Sequence, residues 1–182
     1  MRINKICMIL PLALILGLMV SCQNQEAMAE LEAMKAQAEV EEQNKEVVKR
    51  FFEEFNQGNA EIYKELFAPD YAYYAPSNSP QPMSREEIME FMKTFFEAFP
   101  ESIWSIEDLI AAGDKVIVRF IYRGTHEGEF LGVPATGNKV EMGGIIITRI
   151  ENGKIVEDRD ESDMFGFMQQ LGMELKPKEG EK

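Results

Sequence analysis

The sequence predicts an α+β domain in which N-terminal helices pack on one face of a curved, mostly antiparallel sheet. Three observations carry this. Apolar residues recur at spacings of three and four as far as about Ala98, the period falls to two after Pro100, and Gly113-Asp114 and Asn152-Gly153 stand where tight hairpin turns would join strands. Helices that precede a run of strands segregate into their own layer, which distinguishes α+β from an alternating α/β order.

Residues 6–20, ICMILPLALILGLMV, are an apolar run preceded by Arg2 and Lys5 and followed by Ser21-Cys22. A basic start and an apolar stretch shorter than the roughly 20 residues of a membrane span read as a cleaved signal, here residues 1–21. Leu18-Met19-Val20-Ser21-Cys22 resembles a lipobox, which makes Cys22 the expected site of lipidation. The expectation is an exported bacterial lipoprotein on the periplasmic or cell-surface side, held at a membrane through Cys22. The only other cysteine is Cys7, so the exported part has no thiol for a disulfide, a thiolate metal site or a nucleophile.

Residues 22–43 lack Gly and Pro and are rich in Ala, Glu, Gln and Lys, as in a helical stalk or linker. From Asn44 the helix becomes amphipathic through Val47, Val48, Phe51, Phe52 and Phe55, until Gly58 and Asn59 end it. A second short helix is expected from Ala60 to Phe67, ending near Pro69, and a short strand over Tyr71-Ala72-Tyr73-Tyr74. Pro76, Pro80 and Pro82 mark a loop, and Ser84 with Glu87 three residues on is a capping-box signature for a helix to about Ala98. Four strands follow near 103–112, 115–123, 138–150 and 154–162. In the second, Val116, Val118, Phe120 and Tyr122 share one face and Ile117, Arg119, Ile121 and Arg123 the other. Neither face is purely polar, so both are expected to be partly covered, the second by another subunit. The domain is taken as 44–175, with 176–182 a charged disordered tail.

The chain carries 19 Lys and Arg against 32 Asp and Glu, a net charge of −13, and loss of Arg2 and Lys5 with the signal takes it to −15. A field of that sign repels phosphate backbones and anionic headgroups, which argues against nucleic acid as a partner and leaves membrane attachment to acyl chains.

The stretch Arg123-Gly124-Thr125-His126-Glu127-Gly128-Glu129-Phe130-Leu131-Gly132-Val133-Pro134-Ala135-Thr136-Gly137 resembles the signature loop of SnoaL-like polyketide cyclases and related ester cyclases, members of the nuclear-transport-factor-2-like superfamily. Gly153-Lys154-Ile155-Val156-Glu157 through Asp163, then Gln169-Gln170-Leu171-Gly172, is similar to that family's closing strand and tail. The resemblance implies a cone-shaped α+β barrel enclosing a pocket, often dimerised through sheet surfaces. It further implies cofactor-free acid/base chemistry on a small apolar carbonyl compound, with an aspartate at the end of the closing strand. Two positions depart from the family: Tyr74 stands where members often have histidine, and Arg159 where they often have tryptophan.

Proton removal beside a carbonyl needs a carboxylate in a dry cavity, where desolvation raises its pKa. Asp163 is the best positional match and Asp160 the next; Asp163 also reads as an N-cap for a helix starting near Met164. His126, the only histidine, is placed to hydrogen-bond a ligand carbonyl or exchange protons, or to serve as a structural group. Tyr74, Trp104 and Tyr122 are candidates to line the pocket and contact ligand. No metal is expected, since one histidine and scattered carboxylates give no ligand spacing. The alternative to an enzyme is a non-catalytic module binding an apolar metabolite or partner.

Overall fold

The computed structural model describes residues 6–174, with side chains from residue 25 onward. Residues 1–5, the 176–182 tail and the side chain of Cys22 lie outside that description. The chain divides into two compact units at residue 40. A continuous helix α1, Ile6–Phe55, runs through both, and its residues 25–40 are exposed.

The second unit is the α+β domain. Within it the last turns of α1 bury Asn44, Val48, Phe52 and Phe55, spaced to form one face. Helix α2 is Ile62–Leu66, followed by strand β1, Phe67–Tyr74, and a two-residue strand β2, Met83–Ser84. Strand β1 thus starts four residues earlier than the sequence suggests and runs through Pro69. Its pairing with the closing strand is irregular between Phe67 and Ala72, which is where a residue without an N–H is tolerated.

Helix α3, Arg85–Ala98, begins with the expected capping box: Glu87 N–H bonds the Ser84 hydroxyl, and Glu87 accepts from the Ser84 backbone. The strands β3, Ile103–Ala112, β4, Lys115–Thr125, β5, Lys139–Glu151, and β6, Lys154–Ser162, agree with the alternation in sequence to within two residues. Asn152 and Gly153 both adopt positive φ, 52° and 73°, as the tight β5–β6 hairpin requires.

The sheet order is β2-β1-β6-β5-β4-β3, antiparallel except where β1 runs parallel to β6. That one parallel pair is long-range and has no signature in local sequence. Val116, Val118, Phe120 and Tyr122 are fully buried on the inner face. On the outer face Ile103, Ile110, Ile145 and Ile147 are exposed, and Arg119 and Arg123 pair with Asp108 and Glu141. The inner face meets α1, α2 and α3 in one core dominated by aromatic rings.

Candidate functional site

The interior of the domain is not purely apolar, because β6 turns two carboxylates inward. A bulge between Arg149 and Ile150 opposite Ile155–Glu157 resets the phase of β6, so Ile155, Asp158 and Asp160 all face the core. Strand β1, lying parallel beside it, sends Tyr71 and Tyr73 to the same side. The Tyr71 hydroxyl donates to Asp158 Oδ2 at 2.7 Å, and Thr148, directly across on β5, donates to Asp158 Oδ1 at 2.6 Å. The Tyr73 hydroxyl donates to Asp160 Oδ2 at 2.8 Å, and Ser162 donates to Asp160 Oδ1. Each carboxylate therefore receives two hydroxyls, and among the described residues neither is matched by a cation.

Burial dominates the electrostatics. It pushes Asp158 up from an ordinary 3.8 to about 6, with the charges of Asp160 and Glu157 adding and the Thr148 and Tyr71 hydrogen bonds opposing. Asp160 is raised for the same first reason, opposed by Ser162 and Tyr73 and helped by Glu161. Tyr71 and Tyr73 are held well above the ordinary phenol range by burial and by the adjacent carboxylates. They remain protonated donors at any physiological pH.

Two small cavities adjoin this ladder and share Tyr73, Met92, Trp104 and Asp160 in their walls. The outer one, about 100 Å³, has the exposed residues Pro76 and Glu161 in its wall; the inner one, about 50 Å³, is walled by Asp158 and the rings of Phe51, Phe55 and Tyr63. Drug-sized ligands occupy roughly 300–1,000 Å³, and benzene fits an engineered apolar cavity of about 150 Å³. Neither cavity alone reaches that size, so a guest with one ring needs both, across the Tyr73, Met92, Trp104 and Asp160 walls that they share.

Of the residues singled out from sequence, Asp160 and Trp104 meet at these cavities; the others are placed elsewhere. Asp163 stands past the end of β6, exposed, with Oδ1 accepting from Gly166 N–H at 2.8 Å as the N-cap of helix α4, Met164–Gln170. It lines neither cavity. Tyr74 points to the outer face, because strand alternation sends it opposite Tyr73, and the Arg159 guanidinium sits 4.2 Å from its ring centre. The two departures from the family pattern are therefore one another's neighbours, in register across β1 and β6.

His126 is fully buried and stacked on Phe99, its Nδ1 3.1 Å from Thr136 Oγ1, and its backbone closes the signature loop through Asn138 and Gly137. Its Nε2 has no partner, and the ring lines neither cavity. Tyr122 is likewise buried, packed against Trp104 and Phe95. Gly128 allows the signature loop to touch the end of α3, where Glu127 N–H and Gly128 N–H both bond Ala98 O. The loop thus acts as scaffold, and Phe130 is its plug into the aromatic core.

Asp158, Tyr71 and Tyr73 were not foreseen as site residues. Their signal was present as two pairs at period two, Tyr71/Tyr73 and Asp158/Asp160, donor types on one strand and acceptors on another.

A family model described as SnoaL-like polyketide cyclase matches residues 46–171. The chain belongs to this family. Its relatives include the aklanonic acid methyl ester cyclase DauD of Streptomyces sp. (strain C5), 30% identical over 133 residues, 70% of this chain and 80% of that enzyme. The corresponding cyclase DnrD of Streptomyces peucetius is 29% identical over 129 residues, 70% of this chain and 89% of DnrD. Among solved structures, AclR from Streptomyces galilaeus superposes with a TM-score of 0.67 at 25% identity, covering 72% of this chain and 97% of AclR. IdmH from Streptomyces antibioticus does so at 0.62 and 31% identity, covering 71% of this chain and 99% of IdmH. The SnoaL-like match begins within α1 and ends at Leu171, so it takes in all six strands.

Proposed function

We propose that this SnoaL-like protein is a cofactor-independent acid/base enzyme of the cyclase type, acting on a small apolar carbonyl compound, with Asp160 as the base. The observation that carries the reading is Asp160 itself: a carboxylate raised by burial, aligned by Tyr73 and Ser162, in the walls of both cavities. In the reaction Asp160 takes a proton from the carbon beside a carbonyl, and the enolate attacks a second carbonyl of the same molecule. A carbon–carbon bond forms, and the new alkoxide recovers a proton from the carboxylic acid. The cyclase relatives named above support the reaction class.

The test is exchange of the acidic C–H of single-ring β-keto esters in D₂O, followed by NMR. Asp160→Asn is expected to lower the enzyme-catalysed rate by 10²-fold or more, the usual scale of general-base loss. Asp163→Asn is expected to leave it near wild type. Exchange that survives in the Asp160 variant removes that residue from the mechanism.

One observation favours the second reading, a binding module without turnover: the aspartate that the family resemblance assigns to catalysis is spent on a helix cap. Mass spectrometry of ligand extracted before and after incubation separates the two, since a binding module returns it unaltered.

The proposal extends to location and assembly. The chain is exported and held at a membrane by acyl groups on Cys22, with residues 1–21 removed; Cys22→Ser moving the protein from membrane to soluble fractions is the expected result, and retention at the membrane refutes it. The exposed isoleucines of the outer sheet face support a homodimer, which native mass spectrometry of the mature protein checks, with Ile147→Glu expected to shift it to monomer.

A further inference from the structure

The walls of the two cavities are unusual in their charge. Asp158 and Asp160 face inward, and the exposed Glu161 is in the wall of the outer cavity. Among the described residues lining either cavity, none is lysine, arginine or histidine. The nearest cation along β6, Arg159, is turned to the opposite face, where its guanidinium bonds Glu157 and Ser77 O and covers Tyr74. The two interior carboxylates are therefore aligned by neutral hydroxyls alone, and each still has lone pairs free beyond the two it uses.

The rest of the wall is aromatic. Phe51, Phe55, Tyr63 and Trp104 stand in the walls of the inner cavity, and Phe95 and Trp104 in those of the outer one. Ring faces attract a cation through their quadrupole, and a desolvated site strengthens that attraction. A carboxylate guest would meet two like charges in a low-dielectric space, the arrangement that binding sites use to reject a wrong ligand. A neutral guest would find apolar contact and a hydrogen-bond acceptor, but would leave the acidic charge without a counter-ion.

We propose that this cavity selects its guest by charge, admitting a small protonated amine whose ammonium rests against Asp160 and whose apolar body lies among the rings, and turning away carboxylates. The proposal rests on reading the cavity as the ligand site; an ammonium paired with Asp160 occupies the proposed base, so such an amine is a guest that competes with the carbonyl substrate. Binding can be read without turnover, so failure of the charge preference and failure of the catalytic reading are separate results.

The chain has a single tryptophan, Trp104, and it lines both cavities, so its fluorescence reports on occupancy. Three probes with the same ring test the charge: benzylammonium, benzyl alcohol and benzoate, titrated into the mature protein near neutral pH. Benzylammonium is expected to bind at least about tenfold more tightly than benzyl alcohol, with benzoate the weakest. Benzoate binding as tightly as benzylammonium overturns the proposal, and so does a Trp104 signal unmoved by all three. In Asp160→Asn the advantage of benzylammonium over benzyl alcohol is expected to disappear while benzyl alcohol still binds. If circular dichroism shows that variant unfolded, Asp158→Asn takes its place with a weakened preference as the expected result. An unchanged preference in a folded variant overturns the assignment of the ammonium to these carboxylates.

Discussion

Replacing Asp158 by asparagine isolates the cost of holding a carboxylate inside this domain. The side chain is 7% exposed, and its pKa stands at about 6 against an ordinary 3.8. Between those values the folded chain keeps a proton that the unfolded chain has released, so the folded state binds more protons and stability falls as pH rises. Below about pH 3 both states are protonated and the cost is absent; above about pH 7 both are ionised and it is complete. A shift of about two units at 1.36 kcal/mol per unit comes to about 3 kcal/mol. Asparagine is nearly the same shape and has no proton to lose. The stability of Asp158→Asn relative to wild type should therefore climb by about 3 kcal/mol from pH 3 to pH 7, whatever constant offset comes from rearranged hydrogen bonds with Tyr71 and Thr148. Urea unfolding at a series of pH values, read by Trp104 fluorescence, gives this difference directly. Contributions from Asp160 and from exposed carboxylates are common to both proteins and largely cancel. A difference that stays flat across the window refutes the claim that Asp158 is a desolvated, uncompensated acid.

Two further substitutions probe the frame that holds the site. Removing the α4 cap with Asp163→Ala should cost about 1 kcal/mol of stability in urea unfolding while leaving Trp104 probe binding unchanged; altered probe binding would bring Asp163 back to the cavity. Gly128→Ala should cost more than about 2 kcal/mol, because the new Cβ would lie 2.7 Å from Glu97 O and 2.9 Å from Ala98 Cα, both main-chain atoms that cannot swing aside. A thermal melt within a degree or two of wild type would show that the loop gives way there at little cost.

The elements were legible in the sequence where local chemistry dictates them. Ser84 and Glu87 mark the start of α3 because their reciprocal bonds are made within one turn, and Asn152-Gly153 marks a hairpin because few other pairs accept two positive φ values. The site was only half legible. In the run Glu157 to Asp163, period-two alternation separates Asp158 and Asp160 from Glu157, Arg159 and Glu161, yet it does not say which set faces inward. That phase is set by the bulge at the start of β6 and by the parallel pairing with β1, neither of which has a local signature. The same one-residue ambiguity exchanged Tyr74 for Tyr73, since a slip of one position turns a strand's side chains to the other face.

The ladder also divides its labour in a way that the two carboxylates' surroundings dictate. Asp158 lines only the inner cavity, and each of its oxygens is held by a hydroxyl that is itself fixed in the sheet. Asp160 lines both cavities. Asp158 is raised by burial and by the charges of Asp160 and Glu157, whereas Asp160 is raised by burial and by Glu161. Asp160 is then the group with both the access and the raised proton affinity that a general base needs. The arrangement places the Asp160 carboxylate two residues before the strand's end, facing the core, while Asp163 starts the helix α4 that follows the strand.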